Sequence, residues 1–118
     1  MGTVYYRFIC DVQERNQLIA ERRVHSVNFL KNFETWYTPT RYDDPLVAQR
    51  ELALPASNPP IYRVGPIPET FMPPLRVGPR RSPPAFGHPG GGIEISTLEP
   101  IWLFGLWSFA NQAYDSSL

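Results

Sequence analysis

The chain is short of several things, and each shortage closes off a class of function. One cysteine, Cys10, stands among 118 residues. No intrachain disulfide can form, and no cysteine-built metal site exists. Cys10 lies in an apolar run and reads as a small buried hydrophobe. The two histidines, His25 and His88, are far apart in sequence and have no ligand-like spacing, so no metal is expected. Net charge is zero, so no overall field favours nucleic acid or an acidic membrane. Lysine is almost missing: Lys31 stands alone against ten arginines. That split reflects genomic base composition, or a supply of planar forks suited to bidentate phosphate contacts.

Long apolar runs are also lacking. Ile101-Trp102-Leu103-Phe104-Gly105-Leu106-Trp107 is too short to span a bilayer. Residues 1–20 have neither the basic start nor the apolar core of a signal peptide. The expectation is a soluble chain with no membrane partner. There is no Gly-Lys-Ser/Thr phosphate loop, no Gly-x-Gly-x-x-Gly before a helix and no serine nucleophile elbow. Arginine and aromatics do interleave at Tyr5-Tyr6-Arg7-Phe8 and Tyr62-Arg63, a pattern that can stack single-stranded nucleic acid. The zero net charge argues against that use.

Proline is abundant instead. All 14 prolines lie between Pro39 and Pro100, where they favour extended segments and loops over helices. Glycine concentrates in Phe86-Gly87-His88-Pro89-Gly90-Gly91-Gly92-Ile93-Glu94-Ile95. Consecutive glycines cost much backbone entropy on folding, so they belong where backbone passes close to something or takes a positive φ. The run reads either as a flexible turn or as a ligand-binding edge that delivers Glu94 at the start of a strand.

Local patterns predict a β strand over residues 3–10 and a helix over 12–23 capped by Asp11. A further helical turn is expected over 26–33 and a strand over 34–38. Asp43-Asp44-Pro45 predicts a helix running to about Leu52. Strands follow at 61–64 and 93–97. Residues 65–89 read as one Pro-rich loop with a short strand at Leu75-Arg76-Val77. Trp102–Phe109 is a buried final strand or a short helix, since periodicity cannot arbitrate. The expected fold class is α+β, with one domain over 1–118, a mostly antiparallel sheet and few short helices.

Several of these segments, in order, carry a family pattern. They are Trp36-Tyr37-Thr38-Pro39, Gln49-Arg50-Glu51-Leu52-Ala53-Leu54-Pro55, Tyr62-Arg63-Val64 and Pro84-Ala85-Phe86-Gly87-His88-Pro89-Gly90-Gly91-Gly92-Ile93-Glu94. The chain resembles the tuberculosis necrotizing toxin domain family over roughly residues 34–97, the last block being the specific one. The resemblance implies an ADP-ribosyltransferase-like fold and an NAD⁺ glycohydrolase activity, with NAD⁺ as substrate and no metal. It also implies a toxin or effector delivered by another system into the cytoplasm where it acts. An immunity protein and a macromolecular acceptor of ADP-ribose are the further partners of that reading.

By this resemblance Arg7 and Arg50 hold the pyrophosphate. Trp36 or Tyr37 stacks on nicotinamide or lines its pocket, with Thr38 beside them. Phe86 closes the site, and Gly91 and Gly92 let backbone approach the ligand. Glu94 is the catalytic carboxylate, standing where the family has Gln. The family's catalytic His is absent from Ser57-Asn58-Pro59-Pro60-Ile61, and His88 is the candidate to replace it. A carboxylate at this position resembles the transferases, so ADP-ribose transfer to a macromolecule stays open beside hydrolysis. A non-enzymatic reading stays open too, in which the Pro-rich segment presents an extended binding surface.

Overall fold

Strand β1 (Val4–Ile9) begins the fold; Tyr6 and Phe8 enter one buried cluster, and Ile9 belongs to the other, against which Tyr5 packs. The computed structural model describes residues 2–24, 34–54 and 58–115. The helical turn expected over 26–33 lies outside them. Helix α1 (Val12–Glu21) starts where Asp11 accepts a hydrogen bond from the Gln13 amide at 2.8 Å. It ends because Arg22 takes a left-handed φ of 57°. Arg23 therefore leaves the helix and joins the short strand β2 (Arg23–Val24).

Strand β3 (Thr35–Tyr37) follows, then helix α2 (Pro45–Glu51). Asp44 caps α2 by accepting from the Leu46 amide at 2.9 Å, and Pro45 occupies the first turn where no amide is needed. The remaining strands are β4 (Tyr62–Pro68), β5 (Val77–Arg81), β6 (Ile93–Thr97), β7 (Ile101–Trp102), β8 (Leu106–Ser108) and β9 (Ala113–Tyr114). The described residues thus make an α+β arrangement with antiparallel pairings: β1-β4-β8-β9, β3-β6-β5 and β2-β7. Tyr6 and Thr38 exchange two backbone hydrogen bonds, which joins the first two sheets.

Three expectations are corrected. Residues 65–89 are not one loop, because they contain the second half of β4, a 3₁₀ turn at Glu69–Phe71 and all of β5. The short strand expected at 75–77 is displaced to Val77–Arg81. Pro66 and Pro79 sit inside these strands because each stands at a bulge, where a missing amide donor is tolerated. Gly65-Pro66 falls where β1 slips register between Tyr5 and Arg7. Gly78-Pro79 falls where β5 slips between Val77 and Arg80. Both peptide bonds are cis. Trp102–Phe109 forms neither one strand nor a helix: Leu103–Gly105 separate β7 from β8.

The core has two parts. Ile9, Leu18, Val24, Tyr37, Val64, Ile67, Ile95, Ile101 and Leu106 form one, linking α1 and the sheets. Tyr6, Phe8, Tyr42 and Ala48 form the other, with α2 packed over β1. Arg63 lies within this second region. Its guanidinium is within 5.7 Å of the Tyr6, Trp107 and Phe109 ring centres, and Nη1 donates to the Tyr42 carbonyl at 2.8 Å and to Asp43 at 3.1 Å.

The glycine run closes the end of α2. Helix ends leave carbonyls without intrahelical partners. Here the Gly90 amide donates to the Arg50 carbonyl at 3.0 Å, and the Gly92 amide donates to the Glu51 carbonyl at 2.9 Å. The Ser82 hydroxyl donates to the Leu52 carbonyl at 3.1 Å. A side chain at position 92 has no room, since its Cβ would stand 2.6 Å from the Tyr42 hydroxyl and 3.0 Å from the Glu51 carbonyl. Gly92→Ala is therefore expected to destabilise the fold by about 1–3 kcal/mol, the range for overpacking. Urea unfolding checks this, and an unchanged midpoint would remove the close packing from the account.

Candidate functional site

Cross-strand register decides which candidate residues meet. On β6 the side chains of Glu94 and Ser96 share one face, while Ile95 and Thr97 take the other. Trp36 pairs with Ser96, and Arg80 pairs with Glu94, so Trp36, Arg80, Glu94 and Ser96 lie together. The Arg80 Nε donates to Glu94 Oε2 at 2.9 Å. The same guanidinium carbon lies 5.2 Å from the centre of the Trp36 ring. Glu94 is buried, with 11% of its side chain exposed, whereas Arg80 is 49% exposed. The cluster continues along the face: Ser96 donates its hydroxyl to Glu34 at 2.7 Å, and Arg76 donates to the same carboxylate at 3.1 Å.

Arg7 belongs to a different place. Tyr37 pairs with Ile95 and so takes the face opposite Trp36 and Glu94, inside the core at 2% exposure. Burial pushes the Tyr37 phenol up to about 12, while nearby Arg7 pulls it down. Tyr6 bridges Thr38, so Arg7, one residue further along β1, stands on the Tyr37 side of the sheet. Its Nη2 makes a 2.6 Å ion pair with the buried Glu14 of α1, and its Nη1 donates to the Trp36 carbonyl at 3.2 Å. The guanidinium is thereby committed to holding α1 against β3. It steadies Trp36 through the backbone and does not share a face with Glu94.

The other candidates are spread along the chain. Thr38 is buried at 1% exposure, and its hydroxyl accepts from the Thr40 amide at 3.2 Å, turning the chain after β3. Arg50 is exposed in the last turn of α2, where a cation suits the helix dipole. The amides of Gly90, Gly91 and Gly92 all donate to protein carbonyls, so none is open to an anion. Gly92 is buried against α2, while Gly91 is exposed. Ala85 and His88 exchange two backbone hydrogen bonds around a two-residue turn. Phe86 holds the tip of that turn at a φ of 54° with 67% of its surface exposed. A bulky residue in that region of φ is uncommon.

Arg80, Ser96 and Glu34 were not singled out from the sequence. Arg80 fell within what reads as a Pro-rich loop, so its pairing with Glu94 had no local signal. The Arg7–Glu14 pair had one, a strand arginine followed by an acid in the first turn of the next helix. A cavity of about 400 Å³ opens elsewhere, lined by Tyr5, Glu69, Met72, Pro73, Pro74 and Leu75. Among the described residues no group of His, Cys, Asp and Glu is arranged to hold a metal ion, and no helix is long and apolar enough to cross a membrane.

Two outcomes follow from the Arg7 side of the sheet. Glu14→Gln strands a largely buried guanidinium, and the expected loss is roughly 3 kcal/mol in urea unfolding. A loss under about 0.5 kcal/mol, as for a solvated pair, would contradict it. Cys10 is half-buried nearby, and burial, reinforced by Glu14, pushes its thiol from 9.0 up to about 11. The folded chain keeps this proton where the unfolded chain releases it. The stability it contributes is complete below about pH 9 and is lost as pH rises through about 11. Unfolding midpoints across that window are expected to fall more steeply for the parent than for Cys10→Ala; equal slopes would refute the assignment.

No family model, curated protein or solved structure matches the chain.

Proposed function

We propose that the chain cleaves the nicotinamide–ribose bond of NAD⁺, within an ADP-ribosyltransferase-like fold, and that Glu94 is its catalytic carboxylate. One observation carries this reading: Glu94 is a buried carboxylate at the end of the glycine block, on the same sheet face as Trp36 and linked to its ring through Arg80. In the reaction the ribose carbon–nitrogen bond breaks and its electron pair neutralises the nicotinamide ring. Positive charge builds on the ribose. A fixed carboxylate in a water-poor site stabilises that charge far better than bulk water does. Water then bonds to the ribose carbon and loses a proton to solvent, giving ADP-ribose; an acceptor hydroxyl or amine in place of water gives transfer.

Trp36 is assigned to the nicotinamide ring, since an indole face attracts a cation. Arg50, exposed beside the glycine block, is assigned to the pyrophosphate. Arg7 acts as a positioning residue, because its hydrogen bond holds the Trp36 carbonyl. His88 and Phe86, on the turn that precedes the glycines, are assigned to the rim of the site.

The test is nicotinamide release from NAD⁺ by the purified chain, with free ADP-ribose separated from ADP-ribose bound to added protein. Glu94→Ala removes the carboxylate from the site, so kcat is expected to fall by about 10²–10³ with the fold intact. Absence of nicotinamide release by the parent chain, or equal release by the variant, would sink the reading.

A further inference from the structure

We infer that the face formed by Trp36 and Glu94 is a binding site for a planar, charge-delocalised cation, and that Arg80 is its resident occupant. The inference rests on the reading above only for which natural cation is bound. Its own basis is the geometry of three side chains. Glu94 is the inner partner of the ion pair, 11% exposed, and Arg80 is the outer one, 49% exposed. A buried carboxylate requires a cation or a proton, whereas a half-exposed arginine loses little by turning to water. The guanidinium meets the carboxylate through Nε at 2.9 Å and lies 5.2 Å from the Trp36 ring centre. Carboxylate and indole together are the two contacts that a flat cation seeks.

Arg80 is also placed so that it can leave. It lies on β5, beside the register slip between Val77 and Arg80, and β5 is an outer strand of its sheet. Swinging the side chain outward breaks one hydrogen bond and one ring contact, both its own. Glu34, Arg76 and Ser96 neighbour the site along the same face, and their mutual hydrogen bonds do not involve Arg80. The remainder of the face therefore stays assembled when Arg80 moves.

A site of this kind separates substrate from product by charge. The nicotinamide ring of NAD⁺ is a planar cation, and the nicotinamide that leaves is neutral. The first competes with Arg80 for Glu94 and Trp36. The second has no claim on the carboxylate, and Arg80 returns as it departs. Arg80 is in this sense a specificity-determining residue and a built-in competitor of the substrate.

The experiment titrates 1-methylnicotinamide, methylguanidinium and neutral nicotinamide into the parent chain and Arg80→Ala. Binding is followed by the NMR shifts of the Trp36 indole and the Ser96 amide. Arg80→Ala is expected to bind both cations about tenfold more tightly than the parent. Neutral nicotinamide should gain little, and adding Glu94→Gln to Arg80→Ala should abolish the gain. Cation affinity that is unchanged in a folded Arg80→Ala, or a neutral ring that binds as tightly as the charged one, overturns the inference. An Arg80→Ala spectrum that shows loss of fold moves the test to Arg80→Gln, with the same expected and opposing results. NAD⁺ turnover is measured separately. Tight cation binding without turnover defeats the proposed activity alone, and turnover without a gain in cation binding defeats this inference alone.

Discussion

Arg63 stands on β4 with 3% of its side chain exposed, so its charge must be met inside the protein. Three aromatic rings and two oxygens meet it, and they come from three parts of the chain. Tyr6 belongs to β1, Trp107 to β8, and Phe109 follows β8. The Tyr42 carbonyl and the Asp43 carboxylate lie just before α2. The hydrogen bonds to Arg41 and Arg63 and their positive charges hold the Asp43 carboxyl below its ordinary range, even though Asp43 itself is exposed. One guanidinium thus ties β1 and β8 to the segment that leads into α2. An apolar residue there would pack against the rings but would leave the Tyr42 carbonyl without this donor and Asp43 with Arg41 alone.

From that anchor the geometry runs to the candidate site without a break. Tyr42 faces two ways: its carbonyl accepts from Arg63, and its hydroxyl lies near Glu51 and under Gly92. The far end of α2 is closed by the amides of Gly90 and Gly92. Two residues beyond Gly92 stands Glu94. The glycine run is therefore spent on a contact between backbone and helix end, and its yield for the site is the fixed position of a carboxylate. Arg7 performs a similar service from the other face of the sheet, through Glu14 and the Trp36 carbonyl.

What could be read in the sequence was what local chemistry decides. Asp11 and Asp44 are caps because a short acceptor before a helical run meets orphan amides wherever it occurs, and Pro45 fits a first turn in any context. β1, β3 and β6 were legible from their β-branched and aromatic residues. The second half of β4 and most of β5 were not, because a proline inside a strand is tolerated only at a bulge or a sheet edge, and both are properties of the pairing. The site followed the same division. Glu94 and Trp36 could be named one by one, but their meeting through Arg80 is a matter of register. So is the separation of Arg7 from them, which turns on whether residue 36 or residue 37 faces the core.

The bulge at Gly78-Pro79 has a consequence beyond the strand it interrupts. β5 is an outer strand of the β3-β6-β5 sheet, and such a strand offers a row of amides and carbonyls to any extended chain that drifts past. Pro79 has no amide to offer, the register slips at Gly78-Pro79, and Arg80 and Arg81 put one arginine on each face of the rim. A second copy of this chain approaching edge to edge would find the ladder broken at its middle and guarded by two cations. The residues that hid β5 from a reading of the sequence are the ones that keep it from recruiting another strand.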